Sequence, residues 1–231
     1  GASKGIGRVM AENYSKKGAK VVLAARSYDL MKSFACNLKS DHLVIKTDVR
    51  DETSVVQMIQ KTIEKFGKID VIINNAGIIE PLDIENTTLE IWQDIIKTNL
   101  TGPFLVTSGA LKYMKKNGGK IIYIASTAGM GARPNRCAYS ASKAGLINFA
   151  MSMAKSLHKY NIKVYNICPS GTATGLREKL ELTEDPASLM HPQDVAGIVE
   201  YCLTEQADVI DAQPIIVRIR DEELNKEKNE E

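Results

Sequence analysis

The chain has 231 residues, 44% of them hydrophobic and 25% charged, and its 30 basic against 28 acidic side chains leave a net charge of +2. That balance fits an ordinary globular α/β chain with ample length for a core, and the scattered basic residues argue against a nucleic-acid groove. Four cysteines without C-x-x-C spacing and three histidines without metal-ligand spacing argue against a zinc site and for free thiols in a reducing cytoplasm. No apolar run approaches the roughly 18 residues needed to span a bilayer, so no membrane span is expected.

The first residues, Gly1, Ser3, Lys4, Gly5, Ile6 and Gly7, form a glycine-rich turn of the kind that binds phosphate and normally follows a strand. No strand-forming run stands before it, so the sequence reads as lacking its first strand. After Gly7, apolar residues recur at helical spacing as far as Gly18, a helix stop. Val21–Ala25 is a short unbroken apolar run that suits a strand buried on both faces. Runs at 43–45, 69–73, 121–124, 164–167 and 215–217 repeat it, separated by amphipathic stretches near 29–39, 53–66, 88–97, 101–116, 139–160 and 192–204. Strand alternating with helix predicts a doubly wound parallel sheet with helices on both faces. The expected organisation is a single domain over residues 1–220 and a charged, disordered tail over 221–231.

Such sheets bind ligands at the carboxyl ends of their strands. Arg26 and Ser27 stand at the end of the first visible strand, and Asp48 and Val49 at the end of the next. Asn75, Ala76 and Gly77 follow the third, Ser126 ends the fourth, and Pro169, Gly171, Thr172 and Thr174 follow the fifth. Tyr139 and Lys143 lie four residues apart on a helical stretch and so share one face. A phenol beside a fixed ammonium can exchange protons near neutral pH, and the charge is expected to pull Tyr139 below the ordinary phenol value of about 10. Ser126, with its hydroxyl, could hold a carbonyl oxygen next to that pair. The same spacing recurs at Tyr28 and Lys32, which read as a solvated helix face because no serine-ended strand or binding loop accompanies them.

G-A-S-K-G-I-G, N-N-A-G, Asn99, Ser126, Y-S-A-S-K and N-I-C-P-S-G-T-A-T, in that order from residue 1 to about 200, closely resemble the classical short-chain dehydrogenase/reductase family. The resemblance implies a Rossmann-type fold, a bound NAD or NADP, and interconversion of alcohols and carbonyls. It maps a catalytic tetrad onto Asn99, Ser126, Tyr139 and Lys143. In it Tyr139 gives a proton to the carbonyl oxygen and Ser126 holds that oxygen. Lys143 lowers the Tyr139 pKa and contacts the nicotinamide ribose, while Asn99 anchors a proton-relaying water. The resemblance further places Asp48 and Val49 at the adenine, Asn75 behind the adenosine ribose, and Thr172 and Thr174 over the nicotinamide and phosphates.

An NAD site wants a carboxylate at the end of the second family strand; Arg26 and Ser27 stand there, with Lys4 in the glycine turn, so NADPH is the expected cofactor. The expected function is reduction of a small carbonyl compound to an alcohol, reversibly. The alternatives are a 3-oxoacyl-thioester reductase of fatty-acid type and, in another class, a non-catalytic NADP-binding sensor or interaction module. In the family the missing strand lies between the strands at 21–25 and 69–73, and without it a gap in the core is expected. A homodimer or homotetramer is expected through the helices at 101–116 and 139–160, as in the family. The substrate pocket is expected near 78–82, 127–136 and 173–190. Arg133 and Arg136, just before Tyr139, could attract an anionic substrate or simply be surface arginines.

Overall fold

The computed structural model describes residues 1–131, 133–178, 180, 189–210 and 213–219. Its strands are β1 (Val21–Ala25), β2 (His42–Lys46), β3 (Val71–Asn74), β4 (Gly119–Ile124), β5 (Ile162–Pro169) and β6 (Pro214–Val217). Its α-helices are α1 (Gly5–Lys16), α2 (Tyr28–Ala35), α3 (Glu52–Phe66), α4 (Leu89–Ile96), α5 (Gly102–Met114), α6 (Cys137–Leu157), α7 (Gly175–Glu178) and α8 (Pro192–Cys202). All strand pairings are parallel, in the orders β1-β2 and β3-β4-β5-β6.

The fold is doubly wound because the central strands are apolar on both faces. In β4, Ile121 and Tyr123 join Val55 and Ile59 of α3, Met114 of α5 and Leu146 and Ala150 of α6 in one core. The alternate residues Ile122 and Ile124 join Met10 of α1 and Val195 and Val199 of α8 in another. Successive strand side chains point to opposite faces, so an unbroken apolar run can satisfy two helix layers at once.

The sheet is interrupted between β1 and β3, the interval in which the sequence reading places a central strand. Residues of the glycine turn lie across that interval: Ala2 N donates to Ala24 O at 3.2 Å, and Asn75 Nδ2 donates to Gly1 O at 3.0 Å. Two helices differ from the sequence reading. The stretch at 29–39 stops at Ala35, because buried Ser15 of α1 accepts from Lys39 N at 2.8 Å and Ser40 N at 3.0 Å and draws the chain off the helix. The stretches at 88–97 and 101–116 are joined through a π-helical segment, Lys97–Thr101, so α4 and α5 run on without a loop. The tail at 221–231 lies outside the described residues, as does 181–188 of the expected pocket segment. Among the described residues no helix is long and apolar enough to cross a membrane, and no acidic, histidine and cysteine cluster could hold a metal ion.

Candidate active site

The carboxyl ends of β1 to β5 open onto one cavity of about 490 Å³. Nearly every site residue read from the sequence lines it: Gly1, Ser3, Lys4, Gly5, Ile6, Arg26, Ser27, Asp48, Val49, Asn75, Ala76, Gly77, Ser126, Tyr139, Lys143, Pro169, Gly171, Thr172 and Thr174. Gly7 and Asn99 stand just behind the lining. Gly5 starts α1 with φ +53°, and a side chain on Gly7 would place its Cβ 2.1 Å from Gly1 O. Only glycine tolerates both the left-handed turn and that approach. The turn therefore brings the amino end of α1, with its unpaired backbone N–H groups, to the cavity wall.

Ser126 follows β4 in extended backbone, and its hydroxyl accepts from Ala128 N at 3.1 Å, which starts a short 3₁₀ turn. That turn packs against α6, which carries Tyr139 and Lys143. Lys143 is buried, with Nζ donating to Ile124 O at 2.8 Å and lying 5.7 Å from the centre of the Tyr139 ring. Burial pushes its pKa down from 10.5 to about 8, against a smaller opposing pull from the neighbouring Cys168 thiol. Burial also holds the Cys168 thiol up at about 11, hence protonated near neutral pH.

Tyr139 departs from the sequence expectation. Its pKa is raised, because the phenol is buried; a hydrogen bond with the Ser126 side chain and the charge of Arg136 pull the other way without prevailing. Lys143 fails to reverse the shift because its ammonium faces the ring and a strand carbonyl. The phenol is accordingly a held acid. Asn99 lies in the π-helical segment with its side chain spent on protein partners. Oδ1 accepts from Ile78 N at 2.8 Å, and Nδ2 donates to Ile78 O at 2.9 Å and to Ser142 Oγ at 3.0 Å. Ser142 Oγ in turn donates to Tyr139 O at 2.6 Å. Asn99 thus ties the loop after β3 to the turn of α6 that bears Tyr139, and both its amide hydrogens are used. A widened turn of this kind re-aims residues that a regular helix would place elsewhere.

Two contributors escaped the sequence reading. Arg50 clamps the Asp48 carboxylate, with Nη2 at 2.7 Å from Oδ2, and reaches Asp94 of α4 with Nη1 at 2.9 Å. The side-chain hydrogen bonds from Arg50 hold Asp48 below the ordinary carboxylate range. The D-V-R spacing was visible, but Asp94 stands 44 residues further on. Ser142 sits within Y-S-A-S-K, where the sequence marks it as a small residue that allows close packing and not as a hydrogen-bonding partner of the site.

Lys143 yields a stability test. Its folded pKa of about 8 lies below the ordinary lysine value of 10.5, so the unfolded chain binds more protons between those values. The cost of burying the cation is fully present below pH 8 and is relieved as pH rises from 8 to 10.5. Lys143→Met is expected to melt higher than the unsubstituted chain at pH 7, and this advantage should shrink steadily toward pH 10.5. Differential scanning calorimetry across that range checks it; a pH-independent difference would show that Lys143 is not a strained cation.

Comparisons with known proteins place this geometry. The short chain dehydrogenase family model matches residues 1–185. An uncharacterized oxidoreductase of Thermotoga maritima is 37% identical over 205 residues, covering 86% of this chain and 80% of that protein. A 3-oxoacyl-[acyl-carrier-protein] reductase of Synechocystis is 36% identical over 217 residues, covering 90% of this chain and 88% of that one. The crystal structure of a 3-ketoacyl-(acyl-carrier-protein) reductase of Brucella melitensis complexed with NADH superposes with a TM-score of 0.90 at 28% identity, over 94% of each chain. An actinorhodin polyketide ketoreductase variant with NADPH gives 0.87 at 28% identity, over 94% of this chain and 93% of that one. With its doubly wound Rossmann-type architecture and its strand-end cavity, this chain belongs to the short-chain dehydrogenase family of oxidoreductases.

Proposed function

We propose that the chain is an NADPH-dependent reductase that converts a carbonyl to an alcohol, reversibly, with Ser126, Tyr139, Lys143 and Asn99 as its working residues. The observation that carries the proposal is the meeting of Ser126, Tyr139 and Lys143 with the glycine turn and Arg26 on one cavity. The positive φ of Gly5 and the bare Cα of Gly7 make a cradle that a side chain would fill, which fits a bound pyrophosphate. When bound, the nicotinamide supplies the hydride.

The protein's own groups handle the oxygen. Tyr139, kept protonated by burial, gives its proton to the carbonyl oxygen as charge develops there. Ser126, whose hydroxyl is hydrogen-bonded with Tyr139 in the structure, turns its one O–H to the same oxygen. Lys143, beside the ring with its pKa lowered to about 8, is the group we assign to return the proton to Tyr139. Asn99 and Ser142 position Tyr139 through its backbone.

The relatives do not decide between the two nicotinamide cofactors, since one solved neighbour is described with NADH and another with NADPH. The choice rests on this chain's own side chains. Arg26 is exposed at the end of β1, the Ser27 hydroxyl makes no capping bond to α2, and Lys4 caps α1 without side-chain bonds. Two cations and an uncommitted hydroxyl suit a 2′-phosphate. A second reading, a 3-oxoacyl-thioester reductase, is favoured by the names of the Synechocystis and Escherichia coli relatives, the latter 31% identical over 226 residues.

An open groove of about 470 Å³ between α5 and α6, lined by Leu100, Thr101, Phe104, Gly145, Asn148, Phe149 and Ser152, is our candidate for a two-fold subunit contact. Phe104 is 49% exposed there, although its ring already meets Phe149 edge-on at 6.4 Å.

Tyr139→Phe is expected to keep NADPH binding, read by cofactor fluorescence, and to lose about 100-fold or more in kcat because the proton donor is gone; near-normal turnover would sink the mechanism. Arg26→Asp should shift the NADPH-to-NADH ratio of kcat/KM toward NADH by at least about tenfold, since it removes an attraction and adds a repulsion. An unchanged ratio would mean that Arg26 does not meet the 2′-phosphate. Light scattering at micromolar concentration should give at least twice the chain mass, falling to one chain mass in Phe104→Glu; a monomer before substitution would remove the α5–α6 contact.

A further inference from the structure

Among the described residues, three buried side-chain oxygens make no hydrogen bond: Tyr14 Oη, Thr98 Oγ1 and Ser140 Oγ. Of these residues only Thr98 lines the main cavity. Thr98 is 6% exposed. A buried hydroxyl without a partner costs free energy that a partner recovers. In a regular helix a threonine hydroxyl can bond to a carbonyl three or four residues back. Thr98 stands in the π-helical segment Lys97–Thr101 and makes no such bond. Its neighbour Asn99 is the opposite case, with its amide spent on Ile78 and Ser142.

The chain on both sides of Thr98 is fastened to the segment that follows β2. Four residues earlier, Asp94 accepts from Arg50 Nη1 at 2.9 Å. Four residues later, Gly102 lies so close to Val49 that a Cβ there would fall 2.8 Å from Val49 Cγ2. Asn99, next in the chain, holds Ile78 in the segment that follows β3. Thr98 therefore stands between the segments that leave β2 and β3. Ser126, Tyr139 and Lys143 belong instead to the end of β4 and to α6. The glycine turn crosses the interval between β1 and β3. A dinucleotide with its pyrophosphate at that turn and its nicotinamide at Tyr139 has its adenosine half on the side of Arg26, Asp48 and Val49, where Thr98 lies.

We propose that the Thr98 hydroxyl is a cofactor-binding group that hydrogen-bonds the adenosine half of the bound dinucleotide. This rests on the reductase reading above for the presence of that cofactor, and Thr98 takes no part in hydride or proton transfer. Purine and ribose carry nitrogen and oxygen atoms that accept or donate, and a threonine hydroxyl does both. A threonine on a helix has two rotamers open to it, so hydroxyl and methyl can change places as the ligand arrives. Binding supplies the partner that the protein does not. Removing the hydroxyl should therefore weaken binding without weakening the fold.

The test uses Thr98→Val, which keeps the shape and removes the hydroxyl, and Thr98→Ser, which keeps the hydroxyl. Isothermal titration calorimetry measures the tighter-binding of NADPH and NADH, and its adenosine half alone, as adenosine 2′,5′-bisphosphate or AMP respectively. Thr98→Val should weaken both ligands by about fivefold to tenfold, and Thr98→Ser by less than about threefold. Without ligand, Thr98→Val should melt at or above the temperature of the unsubstituted protein, because an unpartnered hydroxyl has gone. A purely structural hydroxyl gives the reverse pattern, a lower melting temperature with affinity unchanged. Unchanged affinity in Thr98→Val, a loss for the dinucleotide but not for its adenosine half, a loss in Thr98→Ser as large as in Thr98→Val, or a lower melting temperature without ligand each overturns the assignment.

Binding and turnover keep the two proposals apart. If dinucleotide binding depends on Thr98 but no ketone is reduced, the reductase reading falls and the Thr98 contact stands. If ketones are reduced and Thr98→Val binds as tightly as the unsubstituted protein, the reading stands and the contact falls. A protein that binds neither dinucleotide overturns both.

Discussion

Lys143 is a cation kept out of water, and the arrangement of the site follows from what that requires. A buried ammonium costs several kcal/mol unless oxygen atoms meet it. Here the oxygen is Ile124 O, the last carbonyl of β4, at 2.8 Å. That contact fixes how α6 lies across the strand end. With α6 fixed, Tyr139 one turn earlier is fixed too, and so is the distance from its phenol to Ser126, which follows the same strand. The Lys143 position is thus a structural constraint before it is a chemical one. Its pKa of about 8 is the residue of the unmet cost.

The second constraint is that parallel strands end together. Ala125 N donates to Ile167 O at 2.7 Å, so the ends of β4 and β5 stay in register and the segments leaving them turn outward side by side. The segment after β5 carries Thr172, which bridges to Met190, and the one after β3 is tied by Asn99. Each strand-end segment is held by a bond to a neighbour from a distant part of the sequence.

Charge is sorted along the cavity in the same manner. Arg50 removes Asp48 from the balance by holding it in an ion pair that extends to α4. Lys4 and Arg26 stand at the glycine-turn end of the cavity, and the apolar cluster around Tyr139 lies away from it.

Much of this was legible in the sequence. Unbroken apolar runs such as Val21–Ala25 and Ile121–Ile124 could satisfy only a strand covered on both faces, so the alternation of strand and helix determined a doubly wound parallel arrangement. The spacing of Tyr139 and Lys143 placed them on one helix face, and the glycines of the first turn marked a backbone that side chains would block. Other features depend on partners far away in the chain. Ser15 ends α2 from another helix, and Asp94 completes the Arg50 clamp from 44 residues beyond it. The direction of the Tyr139 shift reversed for the same reason. A sequence shows that a lysine is near a tyrosine, but solvation depends on what packs over both. The sequence by itself determined the fold class and which side chains could do chemistry. The tertiary structure decided how deeply they are buried and toward which atoms they point, because burial and orientation are set by contacts between segments that no local spacing records.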